Sequence, residues 1–206
     1  TRMGRNKALL KLGNKTMIER VVNPLQCIFD DILVVTNEPQ NYHMLKGIKF
    51  VPDCINMGRK SSLIGLYSGL KQSETSHIFA IGCDMPFVNI GLIKYMVDLL
   101  KNEDVLVPFV DTGLVEHIMD SSGNEGSAVP SVKRHYQPLH AIYSKGCISE
   151  CEKLLEKGQY KITNVFENMN VNKILEEAIK KFDSYMLCFK NINTYKEYLQ
   201  IMHSFE

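Results

Sequence analysis

The run His77-Ile78-Phe79-Ala80-Ile81-Gly82, halted by Cys83-Asp84-Met85-Pro86, constrains the fold more than any other feature. Its apolar residues follow one another instead of alternating, so both faces of the strand they form must be covered. Similar short runs recur at Ile32 to Val35, Lys49 to Val51, Val105 to Phe109 and Pro138 to Tyr143. Between them lie helical patterns. Thr16 and Glu19 have the spacing of a capping box, followed by Ile18, Val21, Val22, Leu25 and Phe29, with Pro24 set to kink or loosen that helix. Ser61 to Gln72 carries Leu63, Leu66 and Leu70 on one face, and Asn89 is placed to cap a helix running to Lys101. A further helix spans about Cys147 to Lys157, and Thr194 with Glu197 caps the last. Strands alternating with helices predict an α/β fold in one domain over residues 1–206, with an open, mainly parallel sheet covered on both sides. In such sheets ligands bind outside the carboxyl ends of the strands.

Charge narrows the partners. Twenty-four Lys and Arg face twenty-three Asp and Glu, so no global field draws the chain to nucleic acid or an anionic membrane. A phosphate ligand must therefore be held locally. No apolar run approaches spanning length and no secretory leader opens the sequence, which places the protein in the cytoplasm. The six cysteines are scattered without a CxxC pair, as reduced thiols are, and their spacing excludes a zinc-binding knuckle. The stretch from Asp111 to Gln137 breaks the rhythm with Gly, Ser, Asp and Asn. It reads as an excursion, either a flap over the ligand side or a surface insertion. The sequence opens at Thr1 on a basic, Gly-bearing segment without a strand before it.

Several side chains fall where chemistry is expected. Asp84 follows the central run, where a carboxylate can hold Mg²⁺ or simply cap the turn. Asp53 follows Phe50-Val51-Pro52 in the same way and has a plain loop reading beside the functional one. Arg2, Gly4, Arg5 and Lys7 join backbone freedom to positive charge, as a phosphate loop requires, although a solvated chain start has the same composition. No GK[ST] follows, so this is not a P-loop. His140 reads as a packing residue, and the apolar neighbours of Cys83 should raise its pKa and disqualify it as a nucleophile.

Arg2-Met3-Gly4-x-x-Lys7-x-Leu9-Leu10 resembles the second half of the nucleotidyltransferase signature of molybdenum cofactor guanylyltransferases, where it follows a strand and a Leu-Ala-Gly-Gly-x-Ser turn. The Asp53 region, Gly65 to Leu70, Cys83-Asp84-Met85-Pro86-Phe87, Pro138-Leu139-His140-Ala141 and Asn191-Ile192-Asn193-Thr194 recur in the same order. The resemblance implies a three-layer α/β/α, Rossmann-like (GT-A-like) nucleotidyltransferase domain lacking its first strand and the start of the phosphate loop. It implies transfer of GMP from GTP to the phosphate of molybdopterin, with Mg²⁺ as cofactor. Lys7, Arg2 and Asp84 would be catalytic, with Asp84 the metal ligand and Gly4 lining the phosphate loop. Thr36, Asn37 and Asp53 would meet the nucleoside, and Lys161, Asn191 and Asn193 the molybdopterin. Molybdoenzyme apo-proteins or their chaperones would be further partners of a monomer or weak oligomer. Ser61-Ser62-Leu63 replaces the usual Gly-Pro-Leu and resembles the cytidylyl branch, which keeps cytidylyl transfer or another phosphate acceptor as the alternative. A non-catalytic nucleotide-binding module is the alternative of a different class.

Overall fold

The computed structural model describes residues 6–54, 61–111 and 134–202. Arg2, Gly4, Arg5 and most of the 111–137 excursion therefore lie outside the described residues.

A 3-10 turn at Lys7–Leu9 leads into a small antiparallel hairpin of β1 (Lys11–Leu12) and β2 (Lys15–Thr16). Gly13 sits at φ +63 between them, a conformation that a Cβ would strain. Helix α1 (Met17–Leu25) begins with the capping box the sequence specifies. Pro24 lies in the last turn of the helix, which stops one residue later. The apolar stripe Ile18, Val21, Val22 and Leu25 is buried. Strands β3 (Leu33–Val35) and β4 (Lys49–Val51) pair in parallel with Val35 opposite Val51. Helix α2 (Ser62–Gln72) follows, its first turn closed by the Ser61 hydroxyl accepting from Ile64 N.

The main sheet is built from β5 (His77–Ile81), β6 (Val105–Asp111), β7 (Arg134–Tyr136), β8 (His140–Ser144) and β9 (Val171–Leu175), in the order β5-β8-β6-β7 with β9 beside β6. Strands β5, β6 and β9 share one direction, and β8 and β7 run against it. Helix α3 (Ile90–Leu99) joins β5 to β6, and α4 (Cys147–Glu156), α5 (Glu176–Ile179) and α6 (Tyr195–Met202) complete the helical layers. Alternate residues of β6 feed two cores. Val105 and Val107 join Leu63, Leu70 and Leu154 on the α2 and α4 side, while Leu106 and Val110 join Leu92, Met96 and Ile179 on the other. This is the α/β/α layering that continuous apolar strands demand.

Between β3 and β5 the sheet is open. Among the described residues β3 pairs only with β4 and β5 only with β8. Their remaining edges line a cavity of about 600 Å³, walled by Val21, Val22 and Leu25 of α1 and by Gly65 and Gly69 of α2. Every residue of β3 and β5 stays partly exposed despite its apolar character, whereas every residue of β8 is buried. A Cβ at Gly65 would meet nothing within 4 Å. The salt bridge from Lys49, which opens β4, to Glu74, just before β5, spans 3.5 Å. This exposed pair marks the end of the cleft at which both strands start, so their carboxyl ends lie together at the other.

Candidate active site

The loop after β5 is a tight turn. Met85 N donates to Gly82 O at 3.2 Å, and Gly82 N donates to Leu139 O at 3.2 Å. The Asp84 carboxylate folds over the turn so closely that a Cβ on Gly82 would lie 2.7 Å from its Oδ1. Glycine at 82 is thus what lets the half-buried Asp84 take this rotamer. The Asp84 carbonyl accepts from Ile192 N at 2.9 Å, which fastens the 191–193 segment to the loop. Ile192 is fully buried with Leu12, Met17 and Ile201 and anchors that segment from below.

Lys7 arrives from the opposite end of the chain. It opens the 3-10 turn, whose first donor is capped by Asn6 Oδ1 accepting from Ala8 N at 3.2 Å, and Asn6 itself donates to the Tyr42 hydroxyl at 2.9 Å. From there Lys7 Nζ reaches Asn193 Oδ1 at 3.2 Å. Asn193 is oriented in turn by Glu197, whose Oε2 accepts from Asn193 N at 2.7 Å and Thr194 N at 2.8 Å. These two backbone donors hold the Glu197 carboxyl below its ordinary range, with the Lys7 ammonium contributing in the same direction.

Cys83 lies between Gly82 and Asp84 in this loop. Part of the residue reaches solvent, yet the thiol is pushed up to about 11, first by desolvation and then by the Asp84 carboxylate, while Lys7 pulls it down. A thiol so poor in thiolate is no nucleophile, as its neighbours in the sequence imply.

A second cluster stands at the carboxyl ends of β3 and β4. Asn37 Nδ2 donates to Asp53 Oδ2 at 3.1 Å, and Asn37 Oδ1 accepts from Asp53 N at 2.9 Å. Thr36 N donates to Val51 O at 2.8 Å, and the Thr36 hydroxyl accepts from Glu38 N at 3.1 Å. Val35 and Cys83 both line the open cleft, so this cluster and the Asp84 loop flank its carboxyl end.

Of the expected site residues, Lys7, Asp84 and Asn193 come together, with Asn191 exposed beside them, while Thr36, Asn37 and Asp53 form the second group. Lys161 is apart, at the start of a 3-10 stretch (Ile162–Asn168) packed on α4, and no hydrogen bond or ion pair joins it to either group among the described residues. His140 is wholly buried, edge-on to Phe79 and Phe189, and neither ring nitrogen has a partner. Burial lowers it to about 3. Sequence reasoning missed three supporting elements: Gly82 as the seat of Asp84, the Ile192 N–H, and Glu197 as the orienter of Asn193. Only Glu197 carried a signal, its capping-box spacing.

The sheet with helices on both faces and polar clusters at the strand ends has close counterparts. The MobA-like NTP transferase domain matches residues 1–173. A probable molybdenum cofactor guanylyltransferase of Natranaerobius thermophilus is 31% identical over 94% of this chain and 85% of its own length. The molybdenum cofactor guanylyltransferase of Desulfosudis oleivorans is 29% identical over 94% and 84%. Among solved structures, the molybdopterin-guanine dinucleotide biosynthesis protein A of Archaeoglobus fulgidus shares the fold with a TM-score of 0.73 at 22% identity, covering 98% of this chain and 92% of that one. The 2-C-methyl-D-erythritol 4-phosphate cytidylyltransferase of Thermus thermophilus follows at 0.69 and 16%, covering 96% and 93%. The chain belongs to the MobA-like NTP transferase family, and it is a nucleotidyltransferase.

Proposed function

We propose that this protein transfers GMP from GTP to the terminal phosphate of molybdopterin, releasing pyrophosphate and forming the guanine dinucleotide cofactor. The observation that carries the reading is the convergence of Lys7, Asp84 and Asn193, which are drawn from the start, middle and end of the chain. Phosphoryl and nucleotidyl transfer ask little covalent work of the protein, so positioning and charge neutralisation must supply the acceleration. Lys7 carries a mobile ammonium on a four-carbon stem, suited to charge growing on departing phosphates. Its partner here, Asn193 Oδ1, is a neutral acceptor that it can exchange for phosphate oxygens. Arg2 and Gly4 would extend the same anion-binding surface. The acceptor needs no general base, because its phosphate is already ionised at neutral pH.

Mg²⁺ fits the Asp84 position. Among the described residues no group of three His, Cys, Asp or Glu side chains gathers to hold a metal, and Mg²⁺ is commonly held by one or two carboxylates together with substrate phosphates. When bound, the ion supplies Lewis-acid polarisation of the α-phosphate. Asp84 contributes a carboxylate that lies over the turn at Gly82. Asn191 and Asn193 would meet the acceptor, with Lys161 reserved for its outer part.

The choice of guanine gains from a structural account of Ser61. Its hydroxyl caps α2, which explains a serine there without reference to the base. A larger thermal stabilisation by GTP than by CTP tests this choice, and the reverse order would move the protein to the cytidylyl branch. No helix among the described residues is long and apolar enough to cross a membrane. Action in the cytoplasm on GTP and molybdopterin, with delivery to molybdoenzyme apo-proteins or their chaperones, is part of the proposal.

The open slot between β3 and β5 belongs to the same reading. Two edges unpaired among the described residues, an apolar lining and a glycine wall on α2 match one extended strand, parallel to both neighbours. Such a strand would unite β3–β4 with the main sheet.

A further inference from the structure

The three stretches that meet in the active site rest on one apolar cluster, and the last helix closes it. Leu10 and Leu12 come just after Lys7, Phe87 follows Asp84 in its loop, and Ile192 precedes Asn193. All four share a cluster that Tyr198 and Ile201 of α6 complete. Leu12 and Ile192 are fully buried there.

Lys7 depends on this support more than the other two. Its segment runs into the β1–β2 hairpin, which has two residues per strand and, among the described residues, pairs with no other strand. A hairpin standing alone is marginal in water. Contacts from outside must hold it. Lys7 O accepts from Leu10 N at 3.1 Å, Leu10 O accepts from Met17 N at 2.8 Å, and Leu12 O accepts from the Arg20 guanidinium of α1. Between these ties, Lys11 O accepts from the Tyr198 hydroxyl at 2.7 Å, across 187 positions of the chain.

The same helix orients the partner of Lys7. Glu197 accepts from Asn193 N and Thr194 N, and Asn193 Oδ1 accepts from Lys7 Nζ. Adjacent residues of α6 thus hold the two sides of the Lys7–Asn193 contact, Glu197 from the Asn193 side and Tyr198 from the Lys7 side.

We infer that Tyr198 is a positioning residue for the transfer reaction, acting through Lys7: α6 sets where the ammonium stands, and the Tyr198 hydroxyl is its hold on the segment that carries it. This rests on the proposed nucleotidyl transfer and extends it from the groups that meet phosphate to the helix that places them. A tyrosine suits the task, since its ring packs in the cluster while the hydroxyl at its tip reaches a polar partner. Lys7 is read as stabilising charge that grows on the departing phosphates. A shift of its backbone therefore weakens the transition state more than the bound substrate, and the loss falls on kcat.

The test is Y198F, which removes the hydroxyl and keeps the ring, measured alone and combined with K7M. For pyrophosphate release from GTP with molybdopterin and Mg²⁺, kcat should fall on the order of tenfold in Y198F with KM for GTP unchanged. The melting temperature should hold, because water can satisfy the carbonyl of the exposed Lys11 without anchoring it. In the K7M background Y198F should cost nothing further. A second readout needs no turnover. The Glu197 carboxyl is held low first by the Asn193 and Thr194 N–H groups and also by the Lys7 ammonium. It should titrate higher in Y198F, and no higher in Y198F/K7M than in K7M. An unchanged kcat, an equal loss in both backgrounds, or a loss matched by a lower melting temperature would make Tyr198 part of the scaffold only and overturn the inference. A Glu197 titration that Y198F leaves in place would do the same. Absence of turnover in the unmodified protein would instead remove the proposed reaction, while the titration still decides whether Tyr198 places Lys7.

Discussion

Ile192 donates its backbone N–H to the carbonyl of Asp84 at 2.9 Å while its side chain is fully buried beneath the site. One residue therefore fastens the end of the chain to the loop after the central strand and fixes the height of its neighbour Asn193. Replacing it with alanine leaves the hydrogen bond possible but empties its seat among Leu12, Met17 and Ile201. Loss of a buried Ile side chain costs about 2–5 kcal/mol. I192A should lower the melting temperature and reduce turnover together, whereas the exposed neighbouring variant N191A should leave the melting temperature unchanged.

Lys7 should act on the chemical step. Replacing it with methionine keeps its apolar stem and removes the charge, and kcat should fall about a hundredfold to a thousandfold, the usual effect of losing one preorganised donor. The Glu197 carboxyl should titrate higher in this variant, because the Lys7 ammonium is among the causes that lower it. A carbon-detected titration of Glu197 checks the second effect independently of activity.

His140 gives stability a pH dependence. Its folded-state pKa is lowered from 6.5 to about 3 by burial, with neither nitrogen hydrogen-bonded. Below pH 6.5 the unfolded chain binds a proton that the folded chain refuses, so its contribution is present above pH 6.5 and is lost as pH falls toward 3. Between pH 7 and pH 5 that loss is about 2 kcal/mol. H140F should flatten the decline, as judged by urea midpoints at the two pH values. An equal decline in both proteins would show that His140 is not responsible.

The strand slot predicts a pattern of hydrogen exchange. With the proposed strand seated between them, the amides of β3 and β5 that face the slot should be protected to the level of β8. Without that strand they should exchange far faster than β8, whose residues are buried throughout. Equal protection of those amides in both forms would contradict a strand in the slot.

Much of this was legible in the sequence, and where it was not there are physical reasons. Thr16–Glu19, Asn89 and Thr194–Glu197 cap their helices as their spacing requires, because a short polar side chain and the donors it satisfies lie within one turn. The Asn89 helix ends at Leu99, two residues before the expected Lys101. The central strand lies at His77–Ile81, since a continuous apolar run between breakers has few other uses. Strand β9 went unseen because Val171-Asn-Lys-Ile-Leu borders the sheet on one side only. Its Lys173 is placed over the Phe109 and Tyr136 rings by a contact no local pattern encodes. In the site, Asp84 and Lys7 stood out by type and position. Their supports, Gly82, Ile192 and the Asn37–Asp53 pair, depend on contacts between distant segments, which a single sequence does not show.

The most direct test is pyrophosphate release from GTP in the presence of molybdopterin and Mg²⁺, measured side by side for the protein and its D84A and K7M variants. The account predicts release by the unmodified protein that depends on molybdopterin and falls at least about a hundredfold in each variant. Release at the same rate from all three would contradict it.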